Sequence, residues 1–176
     1  MVRIAGRGVL VRRIVCGIGA LAFSWSLTAC GGSSGHDSLR VTDSVELKVA
    51  YFSDVRAKIL VDGDGYALYV FAPDDRRAVT CSGTCALTWP PLTVPPGTRP
   101  ATGQGVQPDL IGTDVGPGGT PVVTYDSWPL YTYSGDVQPG TASGQAIDLN
   151  GGAWYVIRPD GSPITAGAPD TGDGAP

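Results

Sequence analysis

Two short runs repeat the same residue types at the same spacing: LYVFAPDD at residues 68–75 and LYTYSGD at residues 130–136. Each places a tyrosine, a second aromatic two positions on and an aspartate five positions on, giving Tyr69, Phe71 and Asp74, then Tyr131, Tyr133 and Asp136. Two carboxylates, one from each copy, have a defined chemistry when they converge. Carboxyl groups about 5–9.5 Å apart hydrolyse glycosides, and several carboxylate oxygens together hold Ca²⁺. An aspartate just past a strand also has a plainer role, accepting backbone N–H bonds in a turn, and that reading is preferred for Asp74 and Asp136. Asp62–Gly65 (DGDG) adds two carboxylates but lacks the spaced oxygens and distal Glu of a calcium loop, so it reads as a hairpin turn. A catalytic use of Asp74, Asp75 or Asp136 on envelope polysaccharide is the alternative.

The compartment comes from the N-terminus. Arg3, Arg7, Arg12 and Arg13, with no acidic residue among them, precede an apolar run from Ile14 to Leu27. That run is too short for a hydrocarbon core of about 30 Å, and its flanks are those of a signal peptide exported by the Sec route. Leu27–Cys30 (LTAC) has the pattern of a bacterial lipobox: small residues fit the peptidase, and the thiol carries a diacylglyceryl thioether. Residues 1–29 are therefore expected to be a lipoprotein signal peptide, Cys30 the lipidated N-terminus and residues 30–44 a flexible tether. Two or more acyl chains anchor stably where one does not, since each buried CH₂ contributes about 0.8 kcal/mol. The mature chain carries 8 Lys plus Arg against 16 Asp plus Glu, so its acidity disfavours nucleic acid as a partner. Residues 166–176 read as a disordered tail.

An exported compartment favours oxidation. With Cys16 removed and Cys30 acylated, Cys81 and Cys85 in CSGTC are left to pair as a disulfide, with a redox role as the sharper alternative. His36 lies in the tether and Met1 in the leader, so a Ser-His-Asp or Cys-His machine has no histidine, and zinc, haem and copper sites lack ligands. No metal, cofactor or catalytic residue is assigned. Lys48 and Lys58 fall in expected strands with no motif around them.

The elements that must position the repeated motif are strands. Runs at 45–52, 57–62, 66–71, 121–125, 129–133 and 153–158 alternate apolar and polar residues or are rich in β-branched and aromatic ones. Gly, Pro, Asp and Asn clusters separate them, with turns expected at VDGDGY, TYDSWP and RPDGSP. Residues 45–165 are expected to form one small all-β domain, a sandwich or partly closed barrel, built from two hairpin-containing repeats at about 57–95 and 120–160. Tyr69 and Asp74 map onto Tyr131 and Asp136 at an offset of 62, and Trp89 maps onto Trp154 at 65, so each copy is expected to be a hairpin, a variable loop and a Trp-bearing strand. Along residues 68–71 the strand period puts Tyr69 and Phe71 on one face and Leu68 and Val70 on the other, which marks an interior strand. Trp128, Tyr66, Tyr125 and Tyr155 add aromatic surface suited to core packing or to a sugar face.

YVFAPD, CSGTCALTWPPL, YTYSGD and GGAWYVI together resemble a family of bacterial secreted repeats and lipoproteins with a Tyr-x-(Phe/Trp/Tyr)-x-x-Asp motif, over about residues 57–160. The resemblance implies no activity. The expected protein is a lipid-anchored cell-envelope lipoprotein facing outside the cytoplasm, a binding or structural module whose partners are the membrane and a surface protein or glycan.

Overall fold

A computed structural model describes residues 45–76 and 78–165. The expected signal peptide, the Cys30 lipidation site, the tether and the tail lie outside the described residues. Nine strands form three small sheets, and no sheet closes into a barrel among the described residues. The described residues are all-β apart from one short helix and three single 3₁₀ turns.

The first sheet has the strand order Ala57–Asp62, Glu46–Phe52, Ala101–Thr102. Strands β1 (Glu46–Phe52) and β2 (Ala57–Asp62) pair antiparallel from Leu47↔Asp62 to Phe52↔Ala57, and β4 (Ala101–Thr102) lies parallel to β1. The second sheet centres on β9 (Gly152–Val156), flanked by β3 (Tyr69–Phe71) and β8 (Asp148–Leu149). Asn150 and Gly151, at φ 61° and 92°, make the tight turn joining β8 to β9. In the third, β6 (Pro121–Tyr125) pairs with β5 (Ile111–Val115) and β7 (Trp128–Pro129), the β6–β7 turn resting on Asp126 and Ser127 at φ 48° and 67°. The expected turns at VDGDGY and RPDGSP are present too. Asp62 Oδ1 accepts the Asp64 and Tyr66 N–H groups, and Asp160 Oδ1 accepts the N–H and hydroxyl of Ser162.

Several expected elements differ. The run 66–71 narrows to β3, because the chain is still leaving the Asp62 turn at Tyr66. In place of the run 129–133 the chain has β7, which ends at Pro129, a residue with no N–H to extend the ladder, and then two isolated bridges from Tyr131, to Tyr69 and to Pro91. Trp89 is not on a strand. It caps α1 (Thr84–Thr88), its N–H bonded to the Cys85 carbonyl at 2.8 Å, and Pro90 and Pro91 follow. The two repeats thus share their motif but not the element carrying the tryptophan.

The alternation along residues 68–71 divides the interior in two. Tyr69 and Phe71 join Ile59, Val61, Trp89, Tyr131 and Trp154 in one buried cluster, while Leu68 and Val70 join Leu47, Leu60, Val123, Tyr125 and Ile157 in the other. The motif strand is the wall between them.

Candidate functional site

The two motif tyrosines meet at the centre of the domain. Tyr69 and Tyr131 form an antiparallel bridge, the Tyr69 N–H donating to the Tyr131 carbonyl at 2.8 Å and the Tyr131 N–H to the Tyr69 carbonyl at 2.9 Å. From this point each side chain crosses into the other repeat. The Tyr69 hydroxyl donates to Asp136 Oδ2 at 2.8 Å, and the Tyr131 hydroxyl donates to Asp74 Oδ2 at 2.6 Å. Neither tyrosine bonds the aspartate of its own motif.

Each aspartate spends its second oxygen on a loop of its own repeat. Asp74 ends a 3₁₀ turn (Ala72–Asp74), and its Oδ1 accepts the Thr80 N–H at 2.8 Å and the Thr80 hydroxyl. Asp136 Oδ1 accepts the Ser143 N–H at 2.8 Å. In the second loop the next residue along, Gly144, donates its N–H to the incoming Tyr69 phenol at 3.1 Å; in the first loop the Cys81 backbone faces the Tyr131 phenol and draws its pKa down against the effect of burial. The arrangement is a reciprocal lock, with residues 80–81 and 143–144 in equivalent places.

These carboxylates are sealed from water, Asp74 being 1% and Asp136 7% exposed. Burial pushes the Asp74 carboxyl above its ordinary value, against the pull of the bonds from Thr80 and Tyr131. Burial, followed by the bond to the neighbouring carboxylate, also holds the Tyr69 and Tyr131 phenols well above theirs, so both stay protonated donors. Charge-assisted bonds of this kind are about twice as strong as neutral ones, which is what a buried carboxylate needs to remain tolerable.

Around the lock stands an aromatic stack. Trp89 and Trp154 lie face to face with centroids 4.0 Å apart and planes 2° from parallel. Tyr133 covers the outer face of Trp89 and Phe71 that of Trp154, each at 4.2 Å. Tyr69 meets Trp89 edge-on, as Tyr131 meets Trp154. The order of rings is the same from either end, so the repeats are related by an approximate twofold through the Trp pair and the Tyr bridge. Gly144 permits the approach, because a Cβ there would lie 2.7 Å from the Trp89 ring. Cys81 and Cys85 form a disulfide that closes the loop beneath Trp89.

The remaining candidates have other employment. Asp62 is occupied in its turn, and Lys48 pairs with Glu46 at 3.0 Å and donates to the Gly63 carbonyl. Among the described residues, no group of three or more His, Cys, Asp or Glu is placed to hold a metal ion. Tyr125 is buried, donating its hydroxyl to the Pro159 carbonyl at 2.7 Å, and the Arg76 guanidinium lies over the Trp128 ring at 5.5 Å while pairing with Asp126. Sequence reasoning missed Thr80, Ser143 and Gly144. The signal for them was the second offset: 80–81 map onto 143–144 at 63, inside the segment treated as a variable loop.

No helix among the described residues is long and apolar enough to cross a membrane. No curated protein and no solved structure matches the chain. A family described as a secreted repeat of unknown function matches twice, at residues 56–93 and 112–158, and these stretches contain both motifs, the disulfide, Trp89 and Trp154. The chain therefore belongs to this family of secreted repeats, carrying two copies that complete each other.

Proposed function

We propose that the protein is a lipid-anchored module of the cell envelope without catalytic chemistry at its motif, a rigid two-repeat platform that binds a protein or glycan of the cell surface. One observation carries this reading: both motif carboxylates are buried and hydrogen-bonded by a tyrosine of the other repeat and a loop N–H of their own. A hydrolytic pair needs one carboxyl to exchange protons with a leaving group and the other to face a water or the sugar. Asp74 and Asp136 are instead committed to opposite arms of the lock. A family of secreted repeats accords with a position outside the cytoplasm, and LTAC at Leu27–Cys30 supports attachment through Cys30.

Growth of cells with an alkyne-tagged fatty acid tests the anchor. The protein is expected to take up label and fractionate with membranes, and Cys30→Ala to abolish both. Uptake of label by the Cys30→Ala protein, or an unlabelled wild type, would refute lipidation. Crosslinking in intact cells tests the platform, and failure to recover any reproducible surface partner would count against it.

A further inference from the structure

The four-ring column Tyr133–Trp89–Trp154–Phe71 is tighter than packing requires. Its centroid spacings are 4.2, 4.0 and 4.2 Å, with interplanar angles of 24°, 2° and 18°. Aromatic pairs in proteins ordinarily settle at about 4.5–7 Å. Tyr69 stands 5.3 Å from Trp89 and Tyr131 stands 5.1 Å from Trp154, so every oxidisable ring of the cluster is in contact with the indole pair. Electron transfer between groups falls off exponentially with separation, and ring-to-ring contact is where it is fastest. Within the column Tyr133 is half-buried, while Phe71 and both indoles are buried, so access is from the Tyr133 end.

Of the five oxidisable residues, the two indoles and the two buried bridge tyrosines differ in what can receive a proton. Trp89 Nε1 has no hydrogen-bond partner among the described residues, and Trp154 Nε1 donates to the Leu149 carbonyl, which is not a base. The Tyr69 and Tyr131 hydroxyls already point at carboxylate oxygens, at 2.8 and 2.6 Å, within the range over which a proton is passed directly.

We infer that the column is a sink for one-electron oxidants met outside the cytoplasm, drawing an oxidising equivalent in through Tyr133 and the indole pair and holding it on Tyr69 or Tyr131 as a neutral tyrosyl radical. An outer-sphere oxidant accepts one electron and leaves the vacancy on the Trp89–Trp154 pair as an indole radical cation. An electron then leaves Tyr69 for the indole as the phenolic proton moves to Asp136. The sum is phenol plus carboxylate plus oxidant giving phenoxyl radical plus carboxylic acid plus reduced oxidant. Tyr131 and Asp74 form the second, equivalent terminus. A one-electron reductant of the quinol or ascorbate class reverses the step, and the proton returns to the phenol. Burial of both phenols keeps water and other radicals away from the stored equivalent.

The test is flash oxidation of the whole protein in detergent micelles by a photogenerated ruthenium(III) polypyridyl complex, followed by transient absorption and electron paramagnetic resonance. In the wild type an indole radical is expected first. A tyrosyl radical then follows, formed more slowly in D₂O and outliving that of free tyrosine by about an order of magnitude or more, because exclusion of water suppresses side reactions. This measurement needs no variant. In Tyr69→Phe/Tyr131→Phe the indole radical accumulates and the long-lived tyrosyl signal is lost. Tyr133→Phe keeps the stacked ring and slows entry. Oxidation confined to Tyr133 and the exposed Tyr51 with the lifetime of free tyrosine would overturn the inference, as would a long-lived tyrosyl signal that survives in the double variant.

Discussion

Removing the Tyr69 hydroxyl with Tyr69→Phe takes one donor from Asp136 and the acceptor from the Gly144 N–H, and leaves the ring, its edge contact with Trp89 and the backbone bridge in place. The carboxylate keeps its bond from the Ser143 N–H but loses the only side-chain donor shown for it. A hydrogen bond to a charged group contributes about 1.5–3 kcal/mol, so a loss near 2 kcal/mol is expected. For a domain of some 120 described residues that lowers the melting midpoint by roughly 6–10 °C. The informative quantity is the coupling in a double-mutant cycle read by urea unfolding. Asp136→Ala is the appropriate partner change, since asparagine would still accept the phenol. Tyr69→Phe and Asp136→Ala are expected to couple by about 1–3 kcal/mol, whereas Tyr69→Phe and Asp74→Ala, which share no hydrogen bond, should add to within about 0.5 kcal/mol. Coupling of Tyr69 to Asp74 as strong as its coupling to Asp136 would refute the cross-repeat assignment, because it would mean that each motif closes on itself.

Three further outcomes follow from the same geometry. Reducing the Cys81–Cys85 bond should cost about 2 kcal/mol for so short a loop, and hydrogen exchange should accelerate at Thr80 and Cys81 before it does at Ser143 and Gly144. Gly144→Ala should destabilise by about 1–3 kcal/mol, because its Cβ would meet the Trp89 and Tyr69 rings, while Gly63→Ala, with 3.5 Å to its nearest neighbour, should leave the unfolding midpoint nearly unchanged. The phenols predict the alkaline limit: a folded-state value raised above 10.0 gives stability that is complete below pH 10 and is lost as pH rises toward the folded value. Each buried tyrosine then removes about 1.4 kcal/mol per pH unit above 10, and Tyr69→Phe/Tyr131→Phe should flatten that slope in unfolding curves taken across it.

The strand period was enough to separate Leu68 and Val70 from Tyr69 and Phe71, and the two sides do pack into different clusters. The 62-residue offset likewise exposed the repeat. Which aspartate serves which tyrosine was not legible, because an offset says that two segments are alike and nothing about which one a side chain reaches. Trp89 was expected on a strand because Trp154 is on one; the five-residue disulfide loop and Pro90–Pro91 favour a helical turn there instead. Strand β5 escaped notice because Gly112, Thr113 and Asp114 give it little apolar alternation, and it is held by its pairing with β6. Asp74 and Asp136 each accept bonds from a nearby loop through one oxygen, but the other oxygen of each is bonded from more than fifty residues away, beyond any local pattern.

The most direct test is nuclear magnetic resonance of the tyrosine hydroxyl protons, which exchange slowly enough to be seen when buried and hydrogen-bonded. The hydroxyl of Tyr69 is expected to show Overhauser contacts to the amides of Ser143 and Gly144, and that of Tyr131 to the amides of Thr80 and Cys81. Contacts from each hydroxyl to the loop of its own repeat, Tyr69 to Thr80 and Tyr131 to Ser143, would contradict the reciprocal lock.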